Sequence, residues 1–158
     1  MSKLSHVDSA NRPTMVDVSD KSVSEREAHA RSVVKLPQEV LSHVSDDEIS
    51  TKKGPVFSTA VIAGVMAAKK THELIPFCHP LGLDSCKLTI AIDGDAAVID
   101  CRCKVTHKTG VEMEALTAVS VAALTVYDMC KAVDRAMRIT DIRVTHKAGG
   151  KSGAFEAD

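Results

Sequence analysis

Asp128 and Lys131 lie three residues apart in the segment TVYDMCKAV (125–133), which closes a long apolar run. On a helix, residues at i and i+3 share a face, so these two side chains can form an ion pair. Charges in a buried segment cost free energy unless they are paired or take part in chemistry. The pair is therefore either a buried salt bridge or part of a catalytic site.

Two acids, Glu112 and Glu114, lie at the start of the same run, GVEMEALTAVSVAALTVY. Carboxylates are favoured at a helix N-terminus by the helix dipole, so a purely structural role is the alternative for them. Glu114 and Asp128 are separated by about 21 Å along a helix axis. One small ligand cannot reach both. If both pairs are functional, we expect two copies of the chain to meet with opposed helices and share a site.

Five lysines lie in loops, near helix ends or among apolar residues: Lys53, Lys69, Lys131, Lys147 and Lys151. In a chain whose net charge is only −1, such a set predicts a local pocket for a polyphosphate or a similar anion. The alternative for each lysine is simple solvation, which we expect for Lys21 and Lys87.

The loop IPFCHPLG places Cys78 and His79 between Pro76 and Pro80. Prolines make such a loop rigid, and rigid loops position side chains accurately. A metal site or a cysteine nucleophile would need further ligands or a base at a recognisable spacing, and the sequence shows none. We expect His79 to contact a substrate, with a structural loop as the alternative.

The tail HKAGGKSG (146–153) is similar to a phosphate-binding P-loop but fails its pattern, because Thr145 stands where glycine is required. It is either a solvated tail or a loop that orders on a phosphate.

In CRC, Cys101 and Cys103 share one face of a predicted strand. Without partners at zinc-ligand spacing, core packing is favoured over metal binding. The chain has five cysteines and no CxxC pair, which is typical of free thiols in a reducing compartment.

Composition excludes several classes of protein. The near-neutral charge, one Tyr and no Trp argue against nucleic-acid binding. The N-terminus lacks the apolar core of a signal peptide, and the most apolar window contains two glutamates, so we expect a cytoplasmic protein with no membrane span.

The elements that must position these residues form one domain, 1–158, with flexible ends at 1–14 and 149–158. We predict an extended segment at 15–21, a strand at 26–36, a short helix after Pro37, a mobile loop at 45–54 and a helix over 55–73. A hairpin (86–93 and 98–107), a long helix from Thr109-Gly110 to about Met137 and a strand at 138–149 follow. This order predicts an α+β fold, an antiparallel sheet with helices on one face.

Three segments, IPFCHPLGL, KTGVEMEALTAVSVAALTVYDMCKAVDR and GGKSG, closely resemble the MoaC family of molybdenum cofactor biosynthesis. MVDVSDK, REA and KKGPVFSTAVIAGVMAAKKTHELIP are similar to the same family, so that the resemblance covers essentially the whole chain. It implies a ferredoxin-like subunit in a homohexamer, a trimer of dimers with active sites between subunits.

The resemblance also implies a phosphorus–oxygen lyase without a redox cofactor. Such an enzyme rearranges a 3′,8-cyclised dihydro-GTP to cyclic pyranopterin monophosphate and releases pyrophosphate. The pyrophosphate can carry Mg²⁺, but the sequence shows no carboxylate cluster dedicated to a metal.

Site residues carried over by resemblance fall into two groups. Lys53 and Lys131 would be the catalytic lysines, with Asp128 orienting or activating Lys131; Lys53 rather than Lys52 is chosen because Gly54 follows it. Substrate contacts would come from Phe77, Cys78, His79, Met113 and Glu114, with Lys69, Glu112, Arg26, Lys147 and Lys151 as further contacts to base or phosphates. Two alternatives from other classes are a nucleotide- or pterin-binding oligomer without catalysis and a structural oligomerisation module.

Overall fold

The computed structural model describes residues 6–157. Its elements, in chain order, are β1 (Ser24–Lys35), α1 (Gln38–Leu41), β2 (Val44–Ser45), β3 (Glu48–Thr51), β4 (Gly54–Pro55), α2 (Val56–Ala68), α3 (Thr71–Leu74), β5 (Ser85–Asp93), β6 (Ala96–His107), α4 (Glu112–Cys130), β7 (Arg138–Ala148) and β8 (Phe155–Glu156).

Five strands form an antiparallel sheet in the order β5-β6-β1-β7-β8. The central strand β1 buries Ala28, Ala30 and Val34 on one face. Its other face carries charged side chains, such as Arg31, which forms two hydrogen bonds with Asp100. This alternation confirms the predicted strand and hairpin, and it leaves one apolar face for the helices.

Helices α2 and α4 pack against each other, and both lie on the apolar face of the sheet. Small residues let them approach closely: a Cβ at Gly64 of α2 would lie 2.9 Å from the backbone oxygen of Ala118 and 2.6 Å from Leu88. The buried Ser32 hydroxyl donates to the Val119 carbonyl at 3.0 Å and so ties β1 to α4. The result is the predicted α+β architecture.

Helix α4 is the one helix in the described range 6–157 that is long and apolar enough to cross a membrane. A core helix passes the same test, and ten of its residues are buried here, among them Ala118, Ala122 and Val126. We therefore interpret α4 as a core helix.

The predicted bounds of the two long helices were wrong. Helix α2, predicted over 55–73, ends at Ala68, and a separate short helix, α3, follows it. Helix α4 ends at Cys130 instead of Met137, because the chain turns after Lys131 with the Asp134 amide bonded to the Cys130 carbonyl. This turn brings β7 back to the sheet beside β1.

The predicted loop at 45–54 is also wrong, since this segment forms the small sheet β2-β3-β4. Ile49 anchors it in the core with 1% of its surface exposed. The Glu48 carboxylate accepts hydrogen bonds from the amides of Phe57 and Ser58 at the start of α2. The small sheet is thereby attached to the helix layer.

Residues 15–21, predicted as an extended segment, form no paired strand and turn at 19–20. At the ends of the chain, Val7 bridges to Pro13, and β8 pairs with β7. The flexibility predicted for 1–14 falls partly on residues 1–5, which lie outside the described residues, and for both ends it stays a prediction.

Candidate functional site

A cavity of about 700 Å³ lies beside the N-terminus of α4. Its walls come from the N-terminal segment, the start of β1, the loop after α3, the start of α4 and the glycine-rich segment after β7. Nine residues predicted from the sequence line it: Arg26, Phe77, Cys78, His79, Glu112, Met113, Glu114, Lys147 and Lys151. Residues far apart in the chain thus meet at one cavity.

Glu114 lines this cavity and is almost fully buried, with 4% of its surface exposed. Burial raises the pKa of Glu114 to about 7, and the neighbouring charge of Glu112 adds to the rise. Among residues 6–157, no cation lies within ion-pair distance of Glu114, whereas Glu112 lies 4.0 Å from the Lys147 ammonium. Near neutral pH, Glu114 can therefore both accept and donate a proton.

The loop after α3 turns at Ile75, whose carbonyl accepts a hydrogen bond from the Cys78 amide. A ring nitrogen of His79 lies 2.9 Å from the Val16 carbonyl oxygen, which fixes the ring against the N-terminal segment. Burial, followed by the charge of Glu114, raises the pKa of the Cys78 thiol. Cys78 is therefore a neutral thiol that lines the cavity, and its role as a nucleophile is disfavoured.

Arg26 and the glycine-rich segment pack directly on each other. A Cβ at Gly150 would lie 1.8 Å from an Arg26 nitrogen, and Gly149 and Gly150 both have positive φ, at 92° and 78°. Within the described residues 6–157, the buried Arg26 Nε has no hydrogen-bond partner, while Nη2 donates to the Lys108 carbonyl at 3.3 Å. The two glycines are thus required by backbone conformation and by the close approach of the guanidinium.

Two cavity lysines were missed by the sequence analysis. Lys21, expected to be solvated, lines the cavity, and so does Lys108, whose ammonium donates to the Ser19 carbonyl at 2.7 Å. Lys108 lies between the end of β6 and the start of α4, and its sequence neighbours carry no pattern that marks it as a cavity residue. Lys69 is the opposite case: it caps the C-terminus of α2 and is not among the residues that line the cavity.

The three predicted catalytic residues form a second cluster at the other end of α4. The Asp128 carboxylate lies 2.8 Å from the Lys53 ammonium and 2.7 Å from the Lys131 ammonium. Hydrogen bonds from Lys131 and then Lys53 lower the pKa of Asp128 to about 2. Asp128 therefore stays a carboxylate and holds two ammonium groups side by side.

This cluster is exposed and not buried, which corrects the expectation for Asp128 and Lys131. The side chains of Lys53, Asp128 and Lys131 are 52%, 54% and 48% exposed. The reason is the face of the helix that they occupy: Asp128 and Lys131 follow exposed Leu124 along one side of α4, whereas Met129 and Cys130 in the same turn are buried. Lys53 reaches Asp128 from the turn between β3 and β4, and its ammonium also donates to the Asp128 carbonyl at 3.2 Å.

The structure thus separates the predicted site into two parts within one chain. None of Lys53, Asp128 and Lys131 is among the residues that line the cavity. The two parts lie at opposite ends of α4. Glu114 and Asp128 are separated by about 21 Å along the helix axis, which rises about 1.5 Å per residue. Neither part alone contains all the predicted groups. The cavity contains acids and cations, and the cluster contains two exposed ammonium groups.

Comparison with known proteins gives one consistent result. The MoaC family matches residues 15–150 of the chain. A cyclic pyranopterin monophosphate synthase from Xanthomonas axonopodis pv. citri (strain 306) is 53% identical over 151 residues, which cover 94% of this chain and 91% of the relative. The match includes both ends of α4, the proline-flanked loop and the segment of Lys53, so the chain belongs to the MoaC family.

Proposed function

We propose that this chain is a cyclic pyranopterin monophosphate synthase, a phosphorus–oxygen lyase of molybdenum cofactor biosynthesis. It would convert 3′,8-cyclised dihydro-GTP to cyclic pyranopterin monophosphate and release pyrophosphate. The observation that carries the proposal is the 53% identity to a relative of that name over 94% of the chain.

The cavity supports a polyphosphate substrate. Its lining includes five basic side chains: Lys21, Arg26, Lys108, Lys147 and Lys151. A triphosphate and the departing pyrophosphate need such cations, because they balance the negative charge that develops on the leaving group. We assign phosphate binding to this wall of the cavity.

The same cavity supports proton transfer. Ring opening and reclosure require acids and bases whose pKa lies near the working pH. Glu114, with a pKa raised to about 7 by burial, meets that requirement. We assign it the role of a general acid–base at the reacting rings, beside Cys78, His79 and Met113 as substrate contacts.

The second cluster supplies the other catalytic groups. Because Asp128 stays ionised, we infer that it orients Lys53 and Lys131 and does not itself act as an acid. The two ammonium groups, held 2.8 and 2.7 Å from one carboxylate, are placed to donate protons or stabilise charge on a ligand.

A complete site then requires two subunits. We propose a homo-oligomer, a hexamer built as a trimer of dimers, in which the cluster of one subunit faces the cavity of another. Exposed apolar residues support an interface: Ile62 and Met66, one turn apart on α2, are 62% and 55% exposed. Such residues on a soluble subunit are typical of a surface that a partner covers.

We propose no resident cofactor for this reaction, with Mg²⁺ entering only as a companion of pyrophosphate, and a cytoplasmic location. The substrate is a small molecule, and the proposal includes neither nucleic acid nor membrane.

The direct test is turnover. The purified oligomer, supplied with cyclised dihydro-GTP, should release one pyrophosphate per pterin product. Binding without pyrophosphate release would contradict the proposal and would instead support a binding protein that has lost the reaction. A folded oligomer that neither binds nor turns over the substrate would leave only a structural module.

A further inference from the structure

Three cysteines meet on the helix-facing side of the sheet, away from the cavity. Cys86 of β5 is the register partner of Cys103 of β6, and Cys101 lies two residues before Cys103 on the same face. Cys101 and Cys103 are 2% and 0% exposed, and Cys86 is half-buried. The strand pairing itself therefore brings three thiols to one point.

The three sulfurs form a nearly equilateral triangle. The Sγ–Sγ distances are 3.9 Å for Cys86–Cys101, 3.6 Å for Cys101–Cys103 and 3.7 Å for Cys103–Cys86. Two thiolates bound to a tetrahedral Zn²⁺ at about 2.3 Å lie about 3.8 Å apart. The triangle therefore has the dimensions of one face of a zinc–sulfur tetrahedron.

The cluster offers three ligand atoms to a bound cation. Among residues 6–157, the ligand set at this point consists of these three thiols, so that the fourth position would be taken by water. Three thiolates and Zn²⁺ would carry one net negative charge.

We propose that Cys86, Cys101 and Cys103 form a three-thiolate site for Zn²⁺. Binding releases the thiol protons still held and replaces them with three zinc–sulfur bonds, without any change of oxidation state. Soft thiolate ligands select Zn²⁺ over Mg²⁺, and tetrahedral sulfur coordination is a common zinc geometry.

The site would stabilise an edge of the molecule. Strand β5 is one of the two edge strands of the sheet, and Cys86 is its second residue, shortly after the loop that carries Phe77, Cys78 and His79. A metal bridge from Cys86 to β6 would hold that end of β5 in register. The inference does not depend on the proposed function, because none of the three cysteines lines the cavity.

Cobalt binding tests the site directly. The whole oligomer is stripped of metal with a chelator, kept reduced with a phosphine, and titrated with Co²⁺, whose bonds to thiolate give a charge-transfer absorption. We expect saturation at one Co²⁺ per chain with the intensity of three thiolates, followed by loss of the band when Zn²⁺ is added. We also expect Zn²⁺ to raise the Tm of the metal-free oligomer by several degrees.

Matched variants locate the ligands. Cys86→Ser, at the half-buried position, should weaken Co²⁺ binding at least tenfold and remove the contribution of one thiolate from the band. Cys78→Ser changes a thiol outside the cluster and should leave the stoichiometry and the band unchanged. Circular dichroism of each metal-free variant checks that it is folded.

A wild-type oligomer that shows no charge-transfer band at micromolar Co²⁺ would overturn the proposal and leave the cysteines as free core thiols. A band that survives Cys86→Ser but disappears in Cys78→Ser would also overturn it, since the metal would then be held elsewhere.

Discussion

At the residue scale, one carboxylate organises two lysines. Asp128 contacts Lys53 at 2.8 Å and Lys131 at 2.7 Å. Lys53 is the lysine that contacts Asp128, which supports the prediction of Lys53, and the neighbouring Lys52 serves as a control. The exposed cluster contributes little to folding, because ion pairs in water are weak. We therefore propose that the two ammonium groups act on a ligand.

Replacing Lys53 tests this role. We expect Lys53→Ala to lower kcat about 100-fold or more, because a positioned charge or proton donor is lost. Lys52→Ala should retain wild-type kcat. Steady-state pyrophosphate release measures both. Equal activity of the two variants would contradict a catalytic role for Lys53, provided that gel filtration shows the same oligomer.

Glu114 should link stability to pH. Its pKa is about 7 in the folded chain and about 4.5, its ordinary value, when unfolded. Between these values, the unfolded carboxyl is ionised while the folded one keeps its proton, so wild-type stability falls as pH rises from 4 to 7. The full cost above pH 7 is ~3 kcal/mol.

Glu114→Gln, which mimics the neutral acid, should therefore be more stable than wild type at pH 8 by about 2–3 kcal/mol and equal to it at pH 4. Urea unfolding at the two pH values measures this difference. Glu39→Gln, at an exposed position, serves as the control. The same Glu114→Gln variant should lose about 100-fold in kcat or more as the acid–base group disappears. A stability difference that does not change with pH would refute the assigned burial effect.

At the element scale, the glycine-rich segment is a close-fitting neighbour of Arg26. Gly150→Ala places a Cβ 1.8 Å from the guanidinium, so we expect displacement of Arg26 and an increase in KM of about tenfold. Gly153→Ala is a matched control, because Gly153 has a positive φ of 68° but nothing within 4 Å of the added Cβ. Kinetics of both variants separate the clash from backbone strain. Similar KM values would show that Arg26 contact is unimportant.

The crossing of α2 and α4 makes a second prediction at this scale. Gly64→Ala should destabilise the fold by about 1–3 kcal/mol, because the methyl group would overlap Leu88 and the Ala118 carbonyl. At an open helical position the same change would stabilise by about 1 kcal/mol. Gly82→Ala, where a Cβ meets nothing within 4 Å, should change little. Thermal or urea unfolding gives the sign, and a stabilising Gly64→Ala would contradict this packing.

At the scale of the whole molecule, the separation of cavity and cluster predicts complementation. A chain with Lys131→Ala and a chain with Glu114→Gln should each be inactive alone. If sites form between two subunits, a mixed pair contains one site with both changes and one with neither. Equal mixing by unfolding and refolding together should then restore about a quarter of wild-type sites. Activity that stays at background after proven mixing would place each site within one subunit.

The sequence by itself predicted the fold class and nine of the residues that line the cavity. Alternating residues predicted β1 and the β5–β6 hairpin, because one buried face imposes a period of two on a strand. Charged residues in an apolar run singled out Asp128 and Lys131, since such charges need a partner or a function.

Only the tertiary structure decided how these residues are grouped. The packing of α4 on the sheet buries Met129 and Cys130 and leaves Asp128 and Lys131 on the exposed side of the same turn. The pairing of Lys53 with Asp128 and the meeting of Cys86 with Cys101 and Cys103 join residues far apart in the chain. The pattern of apolar residues along one helix or strand indicates which of its faces is buried. Contacts between elements depend instead on packing, which is a property of the whole fold.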